Sequence, residues 1–375
     1  MKPYYTDESV TIYNASSLHM CAIPDSSVQC VVTSPPYWGL RKYDGEQDSV
    51  WGGDSECEHE WETLTRKVEN NSGLCGSTLT SGASPEKRQQ WHDGKSGATS
   101  TGTCLKCGAW RGAFGLEPTP ELYVEHTVLF LREIWRVLRD DGCVFWNVGD
   151  SYAASKMGSC GSASTLEGGK TTQCVAVDRI DKSGNGLKPK DMCLIPFRVA
   201  LAAQADGWYV RSDIVWAKPN PMPESVRDRP TSSYEHIFLF TKSPRYYWDQ
   251  DAVREDSADW NSAKGFSNEG QSARNTEGRL GAREDKVQSG RNLRDVWTIA
   301  TQPSGFKHYA SFPEKIPETC IKAATKVGDL VLDPFAGTGR TLEVALKLGR
   351  KAVGYELSEK YCGMARQRCQ QGVIL

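Results

Sequence analysis

Short runs of apolar residues, separated by polar turns and amphipathic stretches, dominate the hydrophobic pattern of this chain. Runs of this length predict buried strands, and they occur at Val10–Tyr13, Val28–Thr33, Val144–Val148, Asp213–Trp216, Leu330–Asp333 and Ala352–Glu356. Apolar positions repeat at helical spacing over Glu121–Arg139, with Gly142 as a stop, and over Thr341–Leu348. Two further helices are predicted, over Ala15–Met20 and from a capping Asp191 to about Ala205. This alternation predicts an α/β domain with a mostly parallel sheet and helices on both faces.

An unusual motif follows the strand Val28–Thr33. Ser34, Pro35, Pro36 and Tyr37 place a hydroxyl, two prolines and an aromatic ring at its carboxyl end. Because proline has no N–H, the chain must leave the sheet here, and the backbone carbonyls become free to accept other hydrogen bonds. Open α/β sheets bind ligands at such strand ends. The pattern predicts a pocket in which acceptors hold an exocyclic amino group while Tyr37 stacks on the ring, as for a flipped base.

A glycine turn follows the strand Leu330–Asp333. Gly337 and Gly339 permit a close approach of the backbone to a ligand. Glu356 ends the next strand, and a carboxylate there, about 20 residues on, suits a ribose diol. No Lys-Ser/Thr pair follows the glycines. The pattern therefore favours an uncharged nucleoside with a carboxylate-bearing tail over a triphosphate.

Together, the two motifs resemble those of the amino-group DNA methyltransferases of the N4-cytosine/N6-adenine family, which use S-adenosylmethionine. Their order, with the catalytic motif first, matches the circularly permuted beta subgroup. The resemblance continues through Trp216–Pro221, Glu235–Lys242 and Phe312–Lys315 and covers most of the chain. It implies a Rossmann-like class I methyltransferase fold and methyl transfer to a flipped base without a covalent enzyme intermediate.

The resemblance assigns roles to individual residues. It implies a catalytic motif of Ser34, Pro35, Pro36 and Tyr37. It implies a cofactor site of Phe312, Pro313, Asp333, Pro334, Phe335, Ala336, Gly337, Thr338, Gly339, Thr341, Glu356 and Leu357. Asp333 is expected to orient the methionine amino group or nearby water, with capping of the following helix as the alternative. Phe312 packs either on the cofactor or in the core.

Residues outside the two motifs have weaker assignments. Asn147 and Asp150 sit at another strand end and are candidates to line the target pocket. His236 and His308 are expected to be structural, because this chemistry does not demand a histidine.

The target base is left open between two amines. Within the family, serine at the first catalytic position is commoner in cytosine-N4 enzymes, which favours cytosine N4 with adenine N6 as the alternative. An RNA or protein-amide methyltransferase and a non-catalytic DNA-binding protein on this scaffold are further alternatives. A nicotinamide-dependent oxidoreductase shares the glycine turn, but it offers no reason for the Ser34–Tyr37 motif.

Three polar stretches interrupt the α/β pattern, at 39–111, 153–190 and 251–302, and leave 1–38, 112–250 and 303–375 as the catalytic domain. The second is rich in Gly, Ser, Thr and Lys and predicts a mobile loop. The third is either a solvated insertion or a target-recognition region that contacts phosphates and base edges. Its basic residues include Arg274, Arg279, Arg283, Lys286, Arg291 and Arg294.

The first insertion carries a candidate metal site. Cys57, His59, Cys104 and Cys107 offer four ligands of the kind found in closed, structural zinc sites. Cys75 and His92 are competing ligands, and ordinary unliganded cysteines are the simpler alternative. The insertion is also a candidate clamp on DNA.

Composition sets limits on these predictions. The chain of 375 residues has 38% hydrophobic content, enough for one large core and an added module. Its net charge is −2, so contact with DNA requires a local positive face. No signal peptide or membrane-length apolar run is evident, and thirteen cysteines then favour reduced thiols or metal over disulfides. We expect a cytoplasmic protein of bacterial, archaeal or phage origin, with double-stranded DNA as partner; a homodimer and a cognate restriction endonuclease are further candidate partners.

Overall fold

The strands and helices come from a computed structural model, which describes residues 1–39, 47–65, 98–153, 186–255, 290–302 and 312–372. The strands are β1 Tyr5–Thr6, β2 Val10–Asn14, β3 Val28–Thr33, β4 Ser49–Trp51, β5 Trp61–Thr65, β6 Ala98–Cys104, β7 Trp110–Gly112, β8 Leu138–Val148, β9 Tyr209–Ala217, β10 Tyr234–Thr241, β11 Val296–Thr298, β12 Leu330–Asp333 and β13 Lys351–Glu356. The α-helices are α1 Pro120–Val137, α2 Ile195–Ala205, α3 Lys315–Ala324, α4 Arg340–Lys347 and α5 Glu359–Gly372, with a 3-10 turn at Asp251–Val253.

The elements fall into two units. One comprises Met1–Glu46 and Gly115–Leu375, and the other comprises Gln47–Phe114. The insertion predicted from the sequence, 39–111, overlaps most of the second unit. No helix among the described residues has the length and apolar character needed to cross a membrane.

A nine-stranded sheet organises the first unit, in the order β1-β2-β13-β12-β3-β8-β10-β9-β11. The strands from β2 through β8 in this order are parallel to their neighbours. Strand β10 runs antiparallel to β8 and β9, and β11 pairs in parallel with β9. The predicted α/β fold with a mostly parallel sheet is confirmed. The carboxyl ends of β13, β12, β3, β8 and β9 therefore lie at the same edge of the sheet, together with the amino end of β10.

Both faces of this sheet are covered. Every residue of β3 is buried, and so is every residue of β8 from Gly142 onward. Side chains alternate between the two faces of a strand, so complete burial requires packing on each face. Packing on both faces explains why the sequence of these strands is predominantly apolar.

Helix α1 shows how local sequence determines an element. The Thr119 hydroxyl caps its amino end by accepting a hydrogen bond from the Leu122 N–H at 3.1 Å, and Pro120 occupies the first turn. Its buried face includes Tyr123, Phe130 and Ile134. The predicted helical periodicity is confirmed here.

Three local predictions are wrong. Ala15–Met20 forms turns and no helix, and the Ser16 hydroxyl accepts a hydrogen bond from the nearby Leu18 N–H. Gly142 does not end an element but lies inside β8, where a Cβ would come within 2.9 Å of the Gln29 carbonyl oxygen. Helix α2 begins at Ile195 without a cap from Asp191.

The second unit contains a four-stranded antiparallel sheet in the order β4-β7-β6-β5. The Trp51 indole N–H donates to the Gly112 carbonyl at 2.9 Å, which ties β4 to β7. Gly102 and Gly112 both face the Trp110 ring, where a Cβ on either would approach it within 3.0 Å or closer. Glycine at these positions leaves room for the Trp110 ring.

The predicted loop and recognition region lie largely outside the described residues. The same holds for Cys75, His92, His308 and the basic residues Arg274, Arg279, Arg283 and Lys286. At the described end of the third stretch, Arg291 and Arg294 both pair with Glu255 at 2.8 Å. Val296–Thr298 of that stretch is the edge strand β11 of the main sheet.

Candidate active site

The two motifs separated by almost three hundred residues meet at adjacent strands. Strand β3 lies beside β12, with Val31 opposite Leu332. The Thr33 hydroxyl donates to Asp333 Oδ1 at 2.6 Å, joining the last residues of the two strands. Ser34 therefore begins its turn next to the start of the glycine turn, at the edge where open α/β sheets bind ligands.

The backbone of the Ser34–Tyr37 motif is anchored from helix α1 and the segment before it. The Tyr123 hydroxyl donates to the Pro36 carbonyl at 3.0 Å. The Trp38 indole N–H donates to the backbone carbonyl of Glu117 at 2.9 Å. The Glu117 carboxylate is itself buried, and its partners are His126 Nδ1 at 3.0 Å and the Gly115 N–H at 2.8 Å. Burial raises the pKa of Glu117, and these hydrogen bonds oppose the rise.

A polar network joins the side chains at the pocket end of this motif. The Ser34 hydroxyl donates to the Tyr37 oxygen at 3.1 Å, and the Tyr37 hydroxyl donates to Glu235 Oε2 at 2.6 Å. Asn147 Nδ2 donates to the Tyr37 oxygen at 2.9 Å and to Glu235 Oε2 at 3.1 Å. Lys218 Nζ forms an ion pair with Glu235 Oε1. Four strands thus supply one connected set of polar groups.

Sequence reasoning did not assign roles to Glu235 and Lys218. Both lie in segments that carried the family resemblance, but neither segment suggested which strand end it would occupy. A sequence pattern could have indicated them: Lys218 directly follows strand β9, and Glu235 lies at the start of the next strand, β10. In a β-hairpin arrangement, such positions lie at the same edge of the sheet.

Asn147 and Asp150 differ in what they contact. Asn147 belongs to the network just described. Asp150 Oδ1 accepts from the Ser151 N–H at 2.8 Å and from the Ile195 N–H at 3.1 Å, so it satisfies a first-turn amide of α2. Burial raises the pKa of Asp150. It supplies the contact to α2 that the sequence had assigned to Asp191.

The glycine turn takes the conformation that its composition suggests. Gly337 and Gly339 have φ values of 52° and 79°, in the left-handed region. A Cβ at Gly339 would lie 2.8 Å from the Ala365 Cβ of α5, so the turn also needs glycine for packing. The Gly337 N–H donates to Glu356 Oε2 at 2.9 Å, and the Ser358 N–H donates to Oε1 at 2.8 Å. Burial raises the pKa of Glu356 to about 6.

Asp333 is held by its own chain. Its Oδ1 accepts from the Thr33 hydroxyl and, at 3.1 Å, from the Phe335 N–H, and its Oδ2 accepts from the Thr341 hydroxyl at 2.7 Å. Burial raises the pKa of Asp333 to about 6 against these hydrogen bonds. Asp333 thereby links β12, β3 and the start of α4, and its contact with the methionine amino group stays a prediction.

The remaining predicted cofactor residues line or support the same edge. Phe312 is 8% exposed and belongs to the hydrophobic core, and the Pro313 carbonyl accepts from the Ile316 N–H at 3.1 Å near the start of α3. The Phe335 ring packs edge-on against Phe130. Pro334, Ala336 and Thr341 are buried, and Leu357 is exposed.

The turn suits an adenosyl group. Among the described residues, the Thr338 hydroxyl is a buried polar atom with no hydrogen-bond partner. It lies in the glycine turn between Gly337 and Gly339, close in sequence to the Gly337 amide that binds Glu356. A buried hydroxyl requires a partner, and a nucleoside offers several. These residues fit S-adenosylmethionine.

His236 is buried and held by its neighbours, and its structural role stays a prediction. It is 7% exposed, and its Nδ1 lies 2.8 Å from Asp213 Oδ1 on the neighbouring strand. Its ring packs against Phe197 and Phe238.

The second unit brings the four predicted metal ligands together. The ligand atoms of Cys57, His59, Cys104 and Cys107 all lie within 4.8 Å of one another. The Cys57 and Cys104 sulfurs are 4.0 Å apart, and Cys107 Sγ is 3.4 Å from His59 Nδ1. Burial opposes ionisation of Cys104, but hydrogen bonds from the Cys107 and Lys106 amides lower its pKa to about 6. The cluster forms a compact set of soft ligands.

The fold and the edge site define a class of Rossmann-like methyltransferases, and comparison with known proteins identifies the family. The N6/N4 DNA methylase family matches residues 28–367. The type II methyltransferase M.Cfr9I of Citrobacter freundii is 34% identical over 96% of this chain and 87% of its own length. M.SmaI of Serratia marcescens is 32% identical over 92% of this chain and 85% of its own. The chain therefore belongs to the N6/N4 DNA methylase family.

Two solved structures support the fold at low sequence identity. The cytosine-N4-specific PvuII DNA methyltransferase superposes with a TM-score of 0.55 at 17% identity, over 98% of this chain and 88% of that one. The S-adenosyl-L-methionine complex of a putative DNA modification methylase from Thermus thermophilus gives a TM-score of 0.50 at 17% identity, over 97% and 94%. The assignment to the permuted beta subgroup stays a prediction.

Proposed function

We propose that this protein transfers a methyl group from S-adenosylmethionine to the exocyclic amino group of a flipped base in double-stranded DNA. Cytosine N4 is the favoured target, and adenine N6 is the alternative. The observation that carries the proposal is the meeting of the Ser34–Tyr37 motif and the glycine turn at adjacent strand ends. A donor site and an acceptor-lined pocket must be neighbours for direct transfer.

The cofactor half of the site has a defined division of labour. The Gly337–Gly339 turn brings backbone close to the nucleoside, Thr338 offers a buried hydroxyl, and Glu356 receives the ribose diol. When bound, S-adenosylmethionine supplies an electrophilic methyl on sulfur, and the bond that breaks leaves its electron pair on the sulfur. The protein's task is to hold a weak nucleophile in line with that methyl.

The target half of the site orients the amine. The lone pair of an exocyclic amine is delocalised into the ring, so both amino protons need acceptors that pull the lone pair out of conjugation. The Ser34 hydroxyl donates its own proton to Tyr37, and Asn147 Nδ2 donates to Ser34 Oγ at 3.4 Å, so Ser34 Oγ keeps one lone pair as an acceptor for the amine. The Pro35 carbonyl is the second proposed acceptor, and the Tyr37 ring stacks on the base.

The choice of cytosine N4 rests on the residue at position 34. Serine at this position favours cytosine-N4 enzymes within the family, and the PvuII methyltransferase, whose fold this chain shares, is cytosine-N4-specific. Either amine offers two protons to the same acceptors, so adenine N6 remains the second candidate. The type II relatives support the further proposal of a partner restriction endonuclease, and the homodimer stays a prediction.

Nucleoside mass spectrometry tests this proposal. Methylation-free DNA is incubated with the protein and methyl-labelled S-adenosylmethionine, then digested to nucleosides. We expect label in N4-methylcytosine. Ser34→Ala should lower the methylation rate by at least about 10²-fold. Ser9→Ala, at an exposed serine outside the site, should leave the rate unchanged.

The other outcomes have distinct meanings. Label in N6-methyladenine would select the alternative base. Cofactor binding without label on DNA, but with label on RNA or protein, would overturn the DNA assignment. Cofactor binding with no methyl transfer to any of these would favour a non-catalytic DNA-binding protein.

A further inference from the structure

We propose that Cys57, His59, Cys104 and Cys107 hold one structural Zn²⁺ that folds the Gln47–Phe114 unit. This inference is independent of the methyl-transfer proposal. Cys57 and Cys104 are 47 residues apart in the chain, and the two halves of the site come together from the segment before β5 and from the turn between β6 and β7. Four side chains rich in sulfur rarely gather without a metal or disulfides, and Cys57, Cys104 and Cys107 form no disulfide.

Two of the six distances between ligand atoms are close to the edges of a tetrahedral site, and all six are within 4.8 Å. Zn–S bonds of about 2.3 Å and Zn–N bonds of about 2.0 Å imply S···S edges of about 3.8 Å and S···N edges of about 3.5 Å. The corresponding distances are 4.0 Å between Cys57 and Cys104 and 3.4 Å between Cys107 and His59. All four coordination positions would be taken by protein, which is the arrangement of a structural site and not of a catalytic one.

The backbone is shaped to stabilise thiolates. The Lys106 N–H points at Cys104 Sγ at 3.4 Å, and Gly108, with φ of 72°, closes the turn after Cys107. Gly53, with φ of 74°, approaches Cys107 so closely that a Cβ there would lie 2.8 Å from its sulfur. Amides that face sulfur ligands are the outer-shell support expected around a metal.

The described residues of this unit favour a scaffold over a DNA clamp. They carry six carboxylates, at Asp48, Asp54, Glu56, Glu58, Glu60 and Glu62, and two cationic side chains, Lys106 and Arg111. Arg111 lies over the Trp61 ring, which in turn packs against the ring of His59. These described residues alone carry a net negative charge, which opposes contact with phosphates. The metal therefore acts by joining the segment before β5 to the turn between β6 and β7.

Metal analysis of the full-length protein tests the site. We expect about one zinc per chain after purification without added metal. Replacement by Co²⁺ should give the visible absorption of tetrahedral cobalt with thiolate charge-transfer bands. Cys107→Ser should lower metal content to near zero, whereas Cys21→Ser, an exposed cysteine of the other unit, should leave it unchanged.

Two results would overturn the zinc site. One is wild-type protein that is folded and contains no stoichiometric metal. The other is a cobalt derivative without thiolate charge-transfer bands. Because both measurements use the wild-type chain, they decide the question even if the Cys107→Ser variant misfolds.

The polar network of the pocket carries a second inference, which rests on the proposed function. We infer that Glu235 is a positioning residue that withdraws a proton through Tyr37 and Ser34 after methyl transfer. The donors along the path all point the same way, from Ser34 to Tyr37 at 3.1 Å and from Tyr37 to Glu235 at 2.6 Å. The Lys218 ammonium pairs with the far oxygen of Glu235.

Each proton in this relay has a defined donor and acceptor. The methylated amino nitrogen carries a positive charge and releases one N–H proton to Ser34 Oγ. Ser34 passes its own proton to the Tyr37 oxygen, and Tyr37 passes its proton to Glu235 Oε2. Glu235 ends neutral, the base ends neutral, and Glu235 later returns the proton to solvent, to which its side chain is 17% exposed.

The network also sets the direction of the Ser34 hydroxyl before transfer. While Glu235 accepts the Tyr37 hydroxyl proton, the Tyr37 oxygen acts as the acceptor for the Ser34 hydroxyl proton. Ser34 Oγ can then act toward the base only as an acceptor. Removing the carboxylate charge frees the Tyr37 proton to turn toward Ser34. The Ser34 hydroxyl would then donate toward the amino group, whose own protons require an acceptor at that position.

A double-mutant cycle tests this relay. Glu235→Gln and Tyr37→Phe should each lower the single-turnover methylation rate by about 10²-fold, with Kd for S-adenosylmethionine within about twofold of wild type. Since both substitutions cut one path, the double variant should lose no more than the slower single variant. Glu8→Gln, an exposed glutamate outside the pocket, serves as control.

The outcomes separate the relay from the proposed function. An active wild type with Glu235→Gln rates near normal, or with additive losses in the double variant, would overturn the relay alone. A wild type that labels no base in DNA would remove both proposals together. Losses confined to cofactor affinity would also overturn the relay, because they indicate a disturbed fold of the pocket.

Discussion

At the scale of single residues, burial decides what each carboxylate of the site can do. Glu235 keeps an ion-pair partner and partial contact with solvent, which suits a proton acceptor. Asp333 is almost completely buried and bonded to two threonine hydroxyls, which suits a structural link between strands. Both residues lie in segments of the same family resemblance, but their environments give them different chemistry.

Asp333 should make stability depend on pH. Its pKa is about 6, above the ordinary 3.8 of an aspartate, so the folded protein holds this proton more tightly than the unfolded chain. The stabilisation is complete below pH ~4 and is lost as pH rises through about 6, by up to about 3 kcal/mol. Asp333→Asn stays neutral, and its free energy of unfolding should fall less between these pH values.

Denaturant unfolding at several pH values measures this difference. The Asp333 charge also contributes to the raised pKa of Glu356, so Asp333→Asn removes that part of the pH dependence as well. The side chain of Asp140 is 93% exposed, so the free energy of unfolding of Asp140→Asn should depend on pH as that of the wild type does. Parallel pH curves for wild type and Asp333→Asn would contradict the raised pKa.

At the scale of elements, strand direction determines which side chains meet. Strand β10 is antiparallel to β8, so its first residues reach the edge where β8 ends, and His236 lies opposite Val148. Strand β9 ends at that edge too, which places Lys218 beside Glu235. The short segment after β8 completes the pocket, because Gly149 lies directly against the Tyr37 ring.

Gly149 should be intolerant of any side chain. A Cβ there would lie 2.8 Å from Tyr37 Cε2 and 3.1 Å from Cδ2, so the ring must move. A displacement of about 1 Å at a reacting group costs on the order of 10²-fold in rate. Gly149→Ala should therefore slow methylation by roughly that factor, with S-adenosylmethionine binding retained.

The matched control is Gly363→Ala in helix α5, where the nearest atom to a new Cβ is the Tyr4 hydroxyl at 3.5 Å. We expect it to keep full activity and to be slightly stabilised, because alanine is the better helix former. Single-turnover rates for the two variants measure the effect. Wild-type activity in Gly149→Ala would show that the Tyr37 ring position is not critical.

At the scale of the whole molecule, the cysteines divide by environment. Cys30, Cys143 and Cys320 are buried in the main core, and burial raises the pKa of the Cys143 thiol to about 12. Cys21 is exposed, and Cys57, Cys104 and Cys107 form the proposed metal cluster. The chain therefore combines inert, exposed and ligand thiols in one molecule.

Alkylation followed by peptide mass spectrometry should reveal these classes. In the native, metal-loaded protein, we expect rapid modification of Cys21 and slow modification of Cys30, Cys143 and Cys320, because the thiolate is the reactive form. Treatment with a chelator should add Cys57, Cys104 and Cys107 to the rapid class. Rapid labelling of these three before chelation would argue that they hold no metal.

The sequence alone determined the elements whose patterns are strong and local. Continuous apolar runs predicted β3, β12 and β13, and helical spacing predicted α1, because complete burial and amphipathic packing impose these periods. Gly337 and Gly339, Ser34 and the two prolines also act through local backbone chemistry. Their family roles could be read from the chain because each depends on neighbours in sequence. The ligand set of Cys57, His59, Cys104 and Cys107 was chosen on residue type and spacing.

Only the tertiary structure decided which distant groups share a proton or a charge. The hydrogen bond from Thr33 to Asp333 and the network of Ser34, Tyr37 and Glu235 depend on strand order and strand direction. Asp150 replaced Asp191 at the start of α2 for the same reason, since a cap can come from any chain segment that packs there. Local periodicity carries no information on such pairings, because they arise from how the core closes.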